Sequence, residues 1–288
     1  MSIAGRLPEA IDFGGGAMNV KSGMLALLVA GFCAASAHEA TAATPYCVTD
    51  LGILGGTFSV ANGINATGQV TGTADTDDGA MHAFLYGGGS LLDLGTLLGG
   101  SSSQGAGINA SGHVAGTAGT PGTGGHAFLY SGGPLQDLGT LGGSSSQGHD
   151  INGSGHVTGE ALTADGSTRA FLYNGSMQNL GTLNGGSSIG WGINDSGQVT
   201  GQAGNRAFLY SGGTMQDIHM LGDTSAGRDL NASGEVAGSF NDNLAITTHA
   251  VLYTAGQCRT WAPWAATRAA SGWASTRAAG WWAWRFRA

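Results

Sequence analysis

Positive charge is the scarcest commodity in this chain. Between Thr44 and Gly256 only Arg169, Arg206 and Arg228 stand against fifteen Asp and Glu residues, a net of −12, and the single lysine, Lys21, lies ahead of that stretch. Nucleic-acid binding rests on a basic face that releases counterions from phosphates, so that class of partner is excluded. Charge of either sign is sparse, 10% of residues against roughly 25% in ordinary domains. Disorder does not follow, because hydrophobic residues make up a normal 41% and disorder needs low hydrophobicity with high net charge. Long apolar runs are also missing. The longest, Met24 to Ala35, is well short of the roughly 20 residues that span a bilayer, so no transmembrane segment is expected in the mature chain. Cysteine is limited to Cys33, Cys47 and Cys258. With Cys33 in the leader described next, Cys47 and Cys258 are the one pair open to a disulfide in an oxidising compartment. That pairing is disfavoured, because Cys258 falls in a tail whose reading frame is in doubt.

The N-terminus has the build of an export signal. Met18-Asn19-Val20-Lys21 is a short positive region, Met24 to Ala35 the apolar one, and Ala35-Ser36-Ala37 or Ala40-Thr41-Ala42 a small-x-small cleavage site. The leader proper runs over about 18–37 or 18–42, and residues 1–17 read as an upstream extension of an ordinary signal peptide. Residues 1–43 are therefore set aside as leader, and the mature chain is expected to be secreted, periplasmic or on the cell surface.

What is abundant is glycine, 55 residues, roughly 19% where about 7% is usual, and it is distributed periodically. The tetrad Ala83-Phe84-Leu85-Tyr86 recurs at Ala127–Tyr130, Ala170–Tyr173, Ala207–Tyr210 and, as Ala-Val-Leu-Tyr, at Ala250–Tyr253, with tyrosines 44, 43, 37 and 43 residues apart. A Gly-rich turn and a segment of the type Gln136-Asp137-Leu138-Gly139 follow each of the first four tetrads. A Ser-rich link then leads to Ile193-Asn194-Asp195-Ser196-Gly197 and its counterparts. In each Asn-x-x-Gly step Asn opens a hairpin turn and Gly supplies positive φ. The apolar tetrad fits a strand buried on both faces. Four short antiparallel strands in about 43 residues is the size of a propeller blade. The expected fold over 44–256 is all-β, a β-propeller of about five four-stranded blades, with a β-solenoid as the alternative. The first Asp-Leu-Gly segment, Asp50-Leu51-Gly52, precedes the first hairpin and could complete the last blade, leaving no bare edge.

The trios His82-Ala83-Phe84 and His126-Ala127-Phe128, with the opening Tyr46-Cys47-Val48-Thr49-Asp50-Leu51-Gly52, resemble the bacterial extracellular repeat family named HAF after His-Ala-Phe. Arg169 and Arg206 stand in place of His in two copies, and Val251 replaces Phe in the last. The resemblance covers roughly residues 46–256. It implies bacterial export and no particular chemistry.

After Gly256 the repeat stops, and six of the seven tryptophans and five arginines crowd into residues 257–288. The genetic code allows a test from the protein alone. Joining the third base of each codon to the first two of the next, Trp-Ala must give Gly, Trp-Trp must give Val, and Gln257-Cys258 can give only Met or Val. The junctions Trp261-Ala262 and Trp264-Ala265 then restore two glycines at the spacing of Gly139 and Gly142. Trp273-Ala274 adds one at the Gly95-to-Gly107 spacing. Trp281-Trp282-Ala283 gives Val-Gly at the Gly192-to-Gly201 spacing. The tail is read as a repeat in the wrong frame, non-native or disordered as translated, after a slip near codon 256.

Candidate chemistry is thin. Asp50, Asp93, Asp137, Asn179 and Asp217 share one repeat position, and the Asn at that place fits a turn cap better than a charge. Asn65, Asn109, Asn152, Asn194 and Asn231 are turn devices. The basic position before Ala-Phe comprises His82, His126, Arg169, Arg206 and His249. These five are the candidate ligand contacts, weighed against a structural bond to a neighbouring turn. Arg cannot replace a His metal ligand. Asp75, Asp77 and Gly79 resemble the start of a Ca²⁺ loop, without the downstream Glu. No catalytic residue can be nominated. The reading is an exported, non-enzymatic repeat scaffold for an extracellular ligand, glycan or protein, with the loops at Gly116–His126 and Gly159–Arg169 as a variable display surface. The alternatives are a secreted carbohydrate-active enzyme using one propeller face and a Ca²⁺-dependent adhesin.

Overall fold

The computed structural model describes residues 47–97, 99–122, 124–218, 224–242, 247–254 and 256–260. The leader and most of the Trp-rich tail lie outside the described residues. Residues from Leu51 onward form one compact unit, distinct from the stretch ending at Asp50.

Five four-stranded antiparallel sheets follow one another along the chain, each made of strands consecutive in sequence. Blade 1 comprises β1 (Gly55–Ile64), β2 (Val70–Thr76), β3 (Met81–Tyr86) and β4 (Leu91–Asp93); blade 2 comprises β5 (Ser103–Ile108), β6 (Val114–Ala118), β7 (His126–Tyr130) and β8 (Gln136–Asp137). Blade 3 is β9 (Gly142–Ile151), β10 (Val157–Thr163), β11 (Thr168–Tyr173) and β12 (Met177–Asn179); blade 4 is β13 (Ser188–Ile193), β14 (Val199–Ala203), β15 (Arg206–Ser211) and β16 (Thr214–Asp217). Blade 5 is β17 (Thr224–Leu230), β18 (Val236–Asp242), β19 (Thr247–Thr254) and β20 (Gln257–Thr260). This is the propeller architecture. A solenoid would stack equivalent strands of successive repeats in parallel, whereas every ladder here is antiparallel and closes within one repeat.

The tetrads are the third strands, and their burial explains their composition. Adjacent residues of a strand face opposite sides of the sheet, and in Ala127-Phe128 both are fully buried, as they are in Ala170-Phe171 and Ala207-Phe208. The core therefore lies between blades. Leu138 and Ala127 of blade 2 pack with Ile151, Val157 and Phe171 of blade 3, and Leu180 and Ala170 of blade 3 with Ile193, Val199 and Phe208 of blade 4. Burying one such Phe stabilises by about 1.5–3 kcal/mol. A serine on the innermost strand of each of blades 2 to 5 pins the seam. Ser146 Oγ accepts from Ala127 N (2.9 Å) and donates to Gly139 O, and Ser188 Oγ does the same with Ala170 N and Gly181 O.

The Asn-x-x-Gly turns form as expected, with Gly68 at φ 80° and its amide on Asn65 O. Four of the five Asn residues also do something their spacing does not reveal. Asn109 Oδ1 accepts from the amides of Ser111 and His113 within its turn, while its Nδ2 donates to Asn152 O of the next blade (3.0 Å). Asn65 reaches Asn109, Asn152 reaches Asn194 and Asn194 reaches Asn231 in the same way.

The place beside the last tetrad, which the Asp50-Leu51-Gly52 segment could have filled, belongs to β20. Tyr253 pairs with Cys258 and Val251 with Thr260. Blade 5 therefore extends past Gly256, into the first residues of the tail.

Candidate functional site

Each blade's first strand carries a β-bulge at one repeat position. The register steps from Ala61↔Gly72 to Gly63↔Thr71, leaving Asn62 as the extra residue, and the same step isolates Ala106, His149, Trp191 and Arg228. A bulge bends its strand and re-aims the side chain it carries. All five bulge residues line one cavity of about 310 Å³, with contributions from β1, β5, β9, β13 and β17. The innermost strands thus ring an axial channel, and the wall is built from the one strand position at which every repeat differs.

Three of these side chains form a contiguous arc. The His149 ring stacks on the Trp191 indole (centroids 4.6 Å apart, 15° between planes), and the Arg228 guanidinium lies 5.6 Å from the centroid of the same indole. A cation over indole at an exposed site adds about 0.5–1 kcal/mol. His149 Nδ1 sits 2.9 Å from Gly190 O. With Nδ1 as the donor, Nε2 is left as an acceptor. Trp191 Nε1 is buried and makes no hydrogen bond within the protein. Such an orphan donor costs roughly 1–3 kcal/mol, a cost more consistent with a retained function than with a residue chosen for stability.

The next position is Gly63, Gly107 and Gly192 in three blades but Asp150 and Asp229 in the others. The glycines are required by their neighbours: a Cβ on Gly107 would stand 3.0 Å from Asp150 Cα, and one on Gly192 3.0 Å from Asp229 Cα. Asp150 is clamped by backbone, its Oδ1 accepting from Ile151 N (2.8 Å) and its Oδ2 from Ile193 N of the next blade (2.9 Å). Burial nonetheless pushes its carboxyl above the ordinary Asp value; the two amide bonds oppose that shift, and the nearby Asp229 charge adds to it. Both Asp residues also line a second cavity of about 390 Å³, among the hairpin turns bearing Asn109, Asn152 and Asn194. They stand where the two cavities meet.

The sequence-nominated contacts are engaged elsewhere. His82 Nδ1 lies 2.9 Å from Asp93 and His126 Nδ1 2.9 Å from Asp137, while Arg206 donates to Asp217 at 3.2 Å. Each basic residue is thus held by the turn-capping Asp on the fourth strand of its own blade. Those Asp residues cap as expected, Asp93 Oδ1 accepting from Gly95 N and Asp137 Oδ1 from Gly139 N, both at 2.7 Å. In blade 3 Asn179 stands in place of the acid, capping Gly181 N, and Arg169 turns to the carbonyls of Thr168 and Gly186. His249 stacks on Phe240 and bonds Thr247 through Nε2. None of the five lines the channel.

Asp75 is the last β2 residue paired with β3, and Asp77 and Gly79 lie in the β2–β3 turn, where Asp78 takes the Thr76 hydroxyl and the Ala80 amide. Among the described residues no three His, Cys, Asp or Glu side chains gather as a metal site would require. The variable loops nominated as a display surface also stay clear of the channel. Beside one of them, on blade 3, is a smaller cleft of about 140 Å³, which contains Glu160 but no aromatic ring.

The channel residues did leave a signal in the sequence. Trp191 is the one tryptophan between Thr44 and Gly256, and Asp150 and Asp229 interrupt a column of glycines. What spacing does not reveal is that a bulge aims this column at the axis.

No protein-family model matches this chain, and no curated protein does. Among solved structures it is similar to a fucose-specific lectin from Aleuria aurantia (16% identity, TM-score 0.38) over 71% of this chain and 76% of that one. A mutant of that lectin in complex with alpha-methyl-L-fucoside gives 15% identity and a TM-score of 0.39 over the same shares. A mutant of AofleA from Arthrobotrys oligospora matches at 12% identity and a TM-score of 0.37, over 75% of this chain and 76% of that one. Likenesses this distant do not say what the present channel binds; its own residues must.

Proposed function

We propose that this chain is an exported, non-enzymatic binding scaffold that seats one sugar residue, or a polyol of similar size, of an extracellular glycan in its axial channel. The observation that carries this reading is the concentration of non-repeating residues on the channel wall: His149, Trp191 and Arg228 at the bulge, with Asp150 and Asp229 beside them. A chain that repeats itself almost everywhere has diverged where a ligand would sit. The chemistry suits a polyhydroxylated ligand. The indole and imidazole offer apolar surface to C–H groups, Arg228 donates, and Asp229 accepts from hydroxyls. The size, about 310 Å³, falls at the lower end of ligand pockets (roughly 300–1,000 Å³). Bacterial origin and kinship with the HAF repeats belong to the same proposal and rest on the His-Ala-Phe trios and the leader.

The glycosidase alternative needs two carboxylates free to act on substrate. Asp150 spends both oxygens on backbone amides, which supports positioning over catalysis. Calorimetry against a panel of mono- and oligosaccharides tests the reading. Trp191→Ala and Arg228→Ala should each weaken binding by about 2 kcal/mol or more, as central aromatic and Arg anchors do, while His126→Ala leaves it unchanged. Release of reducing sugar by the unaltered chain would sink the non-enzymatic reading.

A further inference from the structure

Among the described residues the ring of blades is open between blade 5 and blade 1, and both faces of the opening are cut as blade interfaces. The apolar residue ending each first strand is covered in blades 3, 4 and 5, where Ile151, Ile193 and Leu230 are 5%, 6% and 8% exposed; in blade 1 the equivalent Ile64 is 70% exposed. Phe58 and Val60 of the same strand are uncovered too, at 48% and 40%. Across the gap, the tetrad Ala is fully buried in blades 1 to 4 but exposed as Ala250 in blade 5. The Asn ladder breaks at the same place: Asn231 Nδ2 turns back to Glu235, and among the described residues no Asn side chain of another blade donates to Asn65 O, which takes only the Gly68 amide of its own turn.

Half of a missing neighbour is already seated on blade 1. Ser59 Oγ donates to Gly52 O (2.9 Å), the bond that Ser146 makes to Gly139 and Ser188 to Gly181 at the fourth-strand ends of preceding blades. Leu51 packs with Val70, Ala74 and Phe84, as Leu138 packs on blade 3. What Ser59 lacks, among the described residues, is the tetrad amide that Ser146 receives from Ala127.

We propose that the opening is the seat of a sixth blade, encoded in the shifted frame by the codons that follow the fourth strand of blade 5, through codon 288 and beyond, and that the segment ending in Leu51-Gly52 completes that blade as its fourth strand and closes the ring. The register of β20 supports the frame. Cys258 stands opposite Tyr253 as Leu91 stands opposite Tyr86 and Met215 opposite Tyr210, and the Gln257-Cys258 junction shifts to Met or Val at that place. The forced glycines and Val-Gly that follow have the spacing of a fourth-strand end and then of a first and second strand. On the same spacing the sixth tetrad falls beyond codon 288. The N-terminal strand would then complete the sixth blade rather than the fifth.

The test is hydroxyl-radical footprinting of Phe58, Val60 and Ile64 in two chains: the sequence as it stands, and the gene product with its frame restored after codon 256. A third chain guards against misfolding of the second, with residues Leu94–Tyr130 of this protein appended after Thr260. The expected result is rapid oxidation of all three side chains in the first chain and protection to the level of Ile193 in the other two, all monomeric. Persistent oxidation in both extended chains overturns the proposal, as does a restored frame with no tetrad downstream. Protection in the unextended chain that grows with concentration also overturns it, since a second copy would then be the occupant.

Discussion

Asp150 sits against Gly107 of the blade before, which makes room for it, and accepts the Ile193 amide of the blade after. Its carboxyl is raised because burial outweighs the two amides that favour its charge, and Asp229 reinforces the shift. A carboxyl raised in the folded state binds its proton more tightly there than when unfolded. Its stabilising effect is therefore complete below the ordinary Asp value and is lost as pH rises through the folded-state value. A carboxyl-carbon NMR titration should place the Asp150 midpoint above the ordinary value of about 3.9, and Asp229→Asn should lower it by removing a neighbouring negative charge. A midpoint unmoved by that substitution would mean the two carboxylates do not sense each other. At this scale the sequence was partly legible: two Asp residues in a glycine column stand out once the column is known to face the axis.

Asn-x-x-Gly hairpins were plain in the sequence as turns, because local hydrogen bonding is written in local spacing. Their second role, tying one blade to the next, joins residues about forty positions apart and has no local signature. The two roles can be separated by position. Asn152 is buried and makes two turn bonds and one inter-blade bond, so Asn152→Ala should cost roughly 3 kcal/mol at about 1 kcal/mol per bond. Asn231 makes the same turn bonds, but its Nδ2 goes to Glu235 and, among the described residues, to no next-blade carbonyl. Chemical denaturation should therefore find Asn231→Ala clearly milder than Asn152→Ala; equal costs would assign all of the stability to the turn. The basic position before Ala-Phe teaches the complementary lesson. Charge and recurrence made His82 and His126 candidates for ligand contact, but the Asp that binds each lies eleven residues downstream, on the next strand of the same sheet. Sheet register determines that pairing.

For the whole molecule, one blade alone has a sheet face with nothing against it, and the interfaces between blades supply the core. Equivalent residues should then differ in energetic weight according to their neighbours. Ile151→Ala, between blades 2 and 3, should cost about 2–5 kcal/mol as a core truncation. Ile64→Ala, at the open face, should fall near the ±0.5 kcal/mol of surface changes. Thermal melts of the two variants in the chain as it stands would show the contrast, and equal losses would mean that blade 1 is covered after all.

The repeat period, the strand count, the buried tetrads and the Asn and Asp turn caps were determined by the sequence itself. Each depends on residue spacing or on hydrogen bonds reaching two to four positions, and period and propensity are properties of the chain. Tertiary structure decided which column faces the axis, where the core lies and which edge remains open. A bulge re-aims Asn62, Ala106, His149, Trp191 and Arg228 into one cavity only after five blades have packed around it. Ile64 differs from Ile151 solely in what stands beside its blade. Those facts depend on neighbours about forty or more residues away, and only close packing in three dimensions brings them into contact.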